Sequence, residues 1–131
     1  MLLAKLRHLA DWNEARRAAA DFYAEMLVEV EGVDAPGVLD GNEHVWHLYV
    51  VRVADRDEIA KRMQSNGIGV GIHYPVPVHL QEAFRHLGYA RGDFPVAEAA
   101  AAQILSLPIF PGITRSQQER VVEELAKALT K

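Results

Sequence analysis

The run His44–Val53, HVWHLYVVRV, constrains the fold more than any other stretch of this chain. Val45, Tyr49, Val51 and Val53 fall on one alternating face, and Trp46, Leu48 and Val50 fall on the other. Successive side chains of a strand point to opposite sides of a sheet. A strand that is apolar on both sides belongs at the centre of a sheet, covered from two sides or from one side plus a partner. The remaining sequence has to supply that cover.

Helical segments are the obvious source. Leu2, Leu6 and Leu9 begin a spacing of three to four residues that resumes at Ala20, Tyr23 and Leu27, which predicts a helix from Leu2 to about Glu29. Asn13 and Arg16 interrupt its apolar stripe. The helix therefore reads either as a bundle or coiled-coil helix, or as a connecting helix whose middle lies against something outside this chain. Residues 31–42, EGVDAPGVLDGN, gather Gly, Pro and Asp and read as a loop. Asp55-x-x-Glu58 is a capping signal for a helix that buries Ile59 and Met63 and stops at Asn66-Gly67.

Ile68, Val70 and Ile72 alternate with Gly69, Gly71 and His73, predicting a second strand with one nearly bare face. Pro75 and Pro77 end regular pairing. A short helix is expected from about Val78 to His86, stopped by Gly88, and Asp93 is placed to cap a helix carrying Pro95 in its first turn. Ile104–Leu107 makes a third short strand. Thr114-x-x-Gln117 opens a last helix with Val121, Val122, Leu125 and Leu129 on one side. Three short strands with helices on one face, preceded by a long N-terminal helix, make an α+β two-layer sandwich. Residues 1–30 read as a connecting helix and 31–131 as the α+β unit.

Composition sets limits on function. The 131 residues suit one domain, and 50% hydrophobic with 24% charged residues is the balance of a folded, soluble chain. A net charge of −4 shows no basic excess, so no nucleic-acid partner is expected. No apolar run approaches the roughly 18–20 residues of a membrane span, and no membrane partner is expected. The chain has no cysteine. Thiolate metal sites and cysteine nucleophiles are thereby excluded, and a reducing cytoplasm is the expected location.

The segment richest in chemistry is Gly67–Leu80, GIGVGIHYPVPVHL. It is a glycine-spaced strand that delivers His73 and Tyr74 into a proline-bounded loop, with His79 just beyond. Loops at strand ends are where rigid scaffolds place binding residues. Histidine exchanges hydrogen bonds with ligands near neutral pH, and tyrosine offers a ring face and a hydroxyl. The plainer reading has Tyr74 filling the core edge and the histidines partly exposed. The G-x-G-x-G string lacks the spacing and the following helix N-terminus of a nucleotide loop. No metal site is expected: His44 and His47 would point to opposite faces of a strand, and His79 and His86 would stand about 10 Å apart along a helix.

Three motifs in order, HYPVPVHLQ, GDFPVAE and LSLPIFPGIT, together with HVWHLYVVRV, resemble the C-terminal portion of the DegT/StrS-type aminotransferases. These are pyridoxal-phosphate enzymes that mostly aminate keto sugars carried on nucleotides. LRHLADWNEARRAAADFYAEML resembles the helix that leads from their large domain into the small one. The resemblance implies a fold-type I aminotransferase small domain that helps to close the active-site cleft. It also implies that His73 and Tyr74 occupy positions contacting the nucleotide-sugar substrate, with His79 at a further motif position.

The departure from that family is large. A pyridoxal enzyme needs a lysine for its Schiff base and a cup for the cofactor phosphate. The four lysines here, Lys5, Lys61, Lys127 and Lys131, fall on amphipathic helices or at the C-terminus. No catalytic residue is therefore assigned, pyridoxal phosphate is expected in the complete enzyme but not on this chain, and the chain alone is expected to be inactive. Uncovered apolar surface leads to an expectation of self-association. The alternative reading is a non-catalytic binding or oligomerisation module that reuses the same sandwich.

Overall fold

The computed structural model describes residues 2–130. Helix α1 (Leu2–Leu6) is followed by α2 (Leu9–Leu27), then strand β1 (Val33–Asp34), β2 (Tyr49–Val53) and α3 (Arg56–Ser65). Two 3₁₀ turns, Val78–Leu80 and Glu82–Leu87, lead to α4 (Pro95–Gln103), β3 (Ile104–Leu107) and α5 (Arg115–Leu129). The three strands form one antiparallel sheet in the order β1-β2-β3, giving the expected α+β sandwich.

Register divides the sheet into two chemically different faces. Tyr49 pairs with Leu107 and Val51 with Leu105, while Val50 pairs with Ser106 and Arg52 with Ile104. Alternation places Tyr49, Val51, Val53, Leu105 and Leu107 on one face. All five are buried in the core, together with Tyr23 and Leu27 of α2, Ile59 and Met63 of α3, and Val121 and Leu125 of α5. Each such side chain contributes about 1.5–3 kcal/mol on burial. The opposite face carries Val50, Arg52, Ile104 and Ser106.

Several local expectations are corrected. The central strand starts at Tyr49 rather than His44. Trp46 adopts φ +47°, which breaks the pleat and turns its indole into the core against Tyr49, with ring centroids 5.2 Å apart. His44 Nδ1 accepts from the Trp46 N–H at 2.8 Å and helps to hold that kink. The expected strand at Ile68–Ile72 shrinks to a single bridge, Gly71 to Ser106. A run so rich in glycine gains little from side-chain packing in a ladder. The third strand is instead Val33–Asp34, inside the segment expected to be loop.

The helices show a similar mix. The predicted helix from Leu2 to Glu29 is broken between Leu6 and Leu9, and only the second half of α2 is buried, at Ala19, Ala20, Tyr23 and Leu27. There the buried Gln118 of α5 donates from its amide nitrogen to Ala19 O at 2.7 Å. Asp55 precedes α3 in a left-handed conformation and makes no side-chain cap. Asn66-Gly67 does stop α3, with Gly67 at φ +77° and the Ile68 N–H reaching back to Met63 O at 3.0 Å. The short helix expected at 78–86 is two 3₁₀ turns, with Gly88 left-handed at the stop. Phe94, not Asp93, occupies the N-cap of α4, while Pro95 sits in its first turn. The Thr114–Gln117 capping box of α5 forms in both directions.

Candidate functional site

Gly71 exchanges both backbone hydrogen bonds with Ser106, at 3.2 Å and 2.8 Å. This pins the Gly67–Leu80 segment to β3 just before the chain leaves the sheet. Two residues later the His73 ring folds back over Gly71, and its Nδ1 lies 2.9 Å from Ser106 Oγ. A Cβ on Gly71 would stand 2.8 Å from His73 Cε1, so the bare α-carbon is what lets the ring lie there. Since Ser106 alternates with Leu105 and Leu107, His73 lies on the sheet face away from the core.

Tyr74 follows with its ring edge-on to His73, centroids 5.6 Å apart. It is 70% exposed, so the expectation that it fills a core edge is not what the structure shows. The next residues, Pro75 and Pro77, line a cavity of about 430 Å³ together with Arg56, Arg91 and Glu98. Arg56 is buried, donates from Nη1 to Ile104 O at 3.2 Å, and holds its Nε 2.7 Å from Asp57 Oδ1 without hydrogen-bond alignment. The opening thus carries charges of both signs, Arg56 and Arg91 against Glu98, and His73 and Tyr74 stand on the chain just before the prolines that line it.

His79 belongs to a neighbouring cluster. Its Nε2 lies 3.2 Å from Glu98 Oε1, and its ring packs on Phe94 with centroids 4.7 Å apart. The same Glu98 oxygen accepts from the Gly92 N–H at 2.8 Å. The Gly92 amide, with His79 and Phe94 adding to it, holds the Glu98 carboxyl below its ordinary range, against the effect of partial burial. On the far side of His79, Val78, Phe84, Leu87, Tyr89 and Phe94 line an apolar groove of about 400 Å³. The structure thus joins His73 to Tyr74 and gives His79 partners of its own.

Sequence reasoning missed Ser106, Glu98, Arg56 and Arg91. Ser106 had a signal, being the one polar residue inside the apolar strand Ile104–Leu107. Glu98, Arg56 and Arg91 had none, because their roles depend on neighbours distant in sequence.

The described lysines do not suit a covalent pyridoxal-phosphate site. Lys127 is held by Glu123 and Glu124 at 2.7 Å and 3.0 Å, and those carboxylates keep its amine protonated to higher pH than usual. Lys5 and Lys61 are exposed on α1 and α3. Lys131 lies outside the described residues. None of the described lysines lines the cavity beside Pro75 and Pro77. Among the described residues, no group of three His, Asp or Glu could hold a metal ion, and no helix is long and apolar enough to cross a membrane.

The chain is similar to known proteins along nearly its whole length. The dTDP-3-amino-3,4,6-trideoxy-alpha-D-glucose transaminase of Micromonospora megalomicea is 42% identical over 134 residues, covering 99% of this chain and 36% of the relative. A pleiotropic regulatory protein of Geobacillus stearothermophilus is 43% identical over 129 residues, covering 97% of this chain and 35% of the relative. Among solved structures, DesV of S. venezuelae, in complex with a ketimine intermediate, superimposes with TM-score 0.93 and 38% identity, over 99% of this chain and 35% of that one. An aminotransferase of Brucella abortus superimposes with TM-score 0.88 and 35% identity, over 99% of this chain and 34% of that one. The chain therefore spans about a third of the length of the relatives it matches. The model of the DegT/DnrJ/EryC1/StrS aminotransferase family matches residues 1–126, and the chain belongs to that family.

Proposed function

We propose that this chain is the substrate-orienting C-terminal domain of a pyridoxal-phosphate-dependent aminotransferase acting on nucleotide-linked keto sugars. In this reading residues 1–30 connect it to a cofactor-bearing part, and residues 31–131 form the domain proper. Pyridoxal phosphate in the complete enzyme, bound through a lysine other than the described ones, would supply a nitrogen carrier and electron sink. The residues here bind and orient. His73 and Tyr74 hydrogen-bond the nucleotide-sugar so that its ketone meets the cofactor, and the proline-bounded loop restricts how the sugar can lie. His79, with Nε2 engaged by Glu98, steadies the turn that carries Pro75–Leu80; direct contact with the sugar is the other role its motif position allows. Self-association, through apolar surface left uncovered, completes the proposal.

The observation that supports this reading is the exposed, edge-on His73–Tyr74 pair, with His73 on the sheet face opposite the core and the pair followed by the prolines that line an opening with Arg56, Arg91 and Glu98. The test has two arms. Mixed with pyridoxal phosphate, glutamate and a keto-sugar nucleotide, the chain alone is expected to form no amino sugar. Grafted in place of the matching third of a family relative, it is expected to support turnover. That turnover should fall about 100-fold on His73→Ala and measurably on Tyr74→Phe. Turnover by the chain alone, or a graft indifferent to both substitutions, rejects the reading. A non-catalytic module would give a graft with no turnover at all.

A further inference from the structure

Ser106 carries a hydroxyl on a buried strand position, and among the described residues His73 Nδ1 is its one hydrogen-bonding partner. A hydroxyl can donate or accept. If His73 Nδ1 carried the proton and donated to Oγ, the serine proton would have no acceptor in a buried setting, which is costly. If Ser106 donates to Nδ1, every group is satisfied and the ring proton sits on Nε2. That nitrogen has no protein partner among the described residues, and His73 is exposed. The ring's second constraint is steric, since it fits only over the bare α-carbon of Gly71.

We infer that Ser106 is a positioning residue that fixes His73 as the Nε2–H tautomer, with Gly71 as its seat, so that His73 presents a hydrogen-bond donor outward. The inference rests on the reading of His73 as a substrate contact and narrows it. The ligand atom facing His73 must be a hydrogen-bond acceptor, such as a phosphoryl, carbonyl or hydroxyl oxygen, and not an N–H donor such as an amino-sugar ammonium. Ser106 touches no ligand and acts through His73.

The test is the ¹⁵N spectrum of the histidine side chains of this chain, recorded at a pH where imidazole is neutral and with no ligand added. The expected result for the unaltered chain is a single Nε2-protonated pattern for His73, lost in Ser106→Ala to an average that includes the Nδ1-protonated form. Ser106→Thr, which keeps the hydroxyl, should restore it. An Nδ1-protonated or averaged His73 in the unaltered chain overturns the inference without any variant. So does an unchanged pattern in Ser106→Ala whose backbone spectrum shows it folded. Titration with dTDP or UDP then separates the two claims. If His73 is the fixed tautomer but its signals ignore both nucleotides and His73→Ala leaves turnover of the graft unchanged, the positioning stands and the substrate reading of His73 falls.

Discussion

Tyr23 and Tyr49 lie ring against ring with centroids 5.0 Å apart, yet among the described residues only one of their hydroxyls has a partner. Tyr23 donates to Pro108 O at 2.9 Å, whereas the buried Tyr49 hydroxyl has no partner among the described residues. The two phenols should therefore respond oppositely to loss of oxygen. Tyr23→Phe is expected to cost about 0.5–1.5 kcal/mol, the net worth of one hydrogen bond. Tyr49→Phe removes an unsatisfied buried group and is expected to be neutral or to stabilise by up to about 1–3 kcal/mol. Urea midpoints of the two variants decide it, and a strongly destabilised Tyr49→Phe would mean that its hydroxyl has an acceptor after all.

The same pair predicts an alkaline limb. Burial pushes Tyr49 from 10.0 up to about 12 and raises Tyr23 as well. Each phenol is held neutral in the folded chain, so its contribution is complete below the ordinary tyrosine value. It is lost as pH rises from there through the raised value. Stability should decline from about pH 10 to about pH 12, less steeply in Tyr49→Phe. Denaturant midpoints across that range provide the check.

At the acid end Glu98 works in the other direction. Its carboxyl is held low by the Gly92 amide first and by His79 in support. The stability it lends is present above its ordinary value of 4.5 and disappears as pH falls through the lower folded value. Glu98→Gln should flatten the acid limb of stability and loosen residues 90–94, seen as faster amide exchange at Gly92. Parallel acid limbs for the two proteins would contradict this.

Gly71→Ala probes the seat of His73. The intruding methyl would meet the end of a mobile side chain rather than backbone, so the ring should swing away while the sheet stays intact. The expected loss of stability is about 1 kcal/mol or less. The His73–Ser106 coupling should vanish, and with it the single Nε2-protonated pattern of His73. A large fall in melting temperature would show instead that Gly71 serves the backbone bridge.

On α1 and the start of α2, Leu3, Leu6 and Leu9 are 79%, 58% and 42% exposed. Sedimentation velocity is expected to show concentration-dependent association, reduced by the double change Leu6→Glu, Leu9→Glu. A monomer at every concentration would remove self-association from the proposal.

Much of the fold could be read from periodicity and caps. The Thr114–Gln117 box and the Gly67 stop are local chemistry that forms as read, although the caps read at Asp55 and Asp93 do not. The apolar faces at Tyr49–Val53 and Val121–Leu125 likewise declare their burial. What could not be read was decided at long range. Trp46 breaks its strand because Tyr49 and the core receive the indole, and Gly71 pairs with Ser106 while its neighbours do not. For the site, the loop holding His73 and Tyr74 was marked by its glycines and prolines. The partners Ser106 and Glu98 are 33 and 19 residues away from the histidines they hold, and no spacing rule joins them.

The alternation along Leu105, Ser106 and Leu107 ties two properties that are often separable. Two of these side chains fill the deepest part of the interior, and the one between them grips the imidazole on the outer surface. A shift of this strand to accommodate a mutation inside must carry the serine with it. Interior repacking would therefore be felt at the His73 ring, and evolution of the core would proceed under the constraint of the imidazole's position.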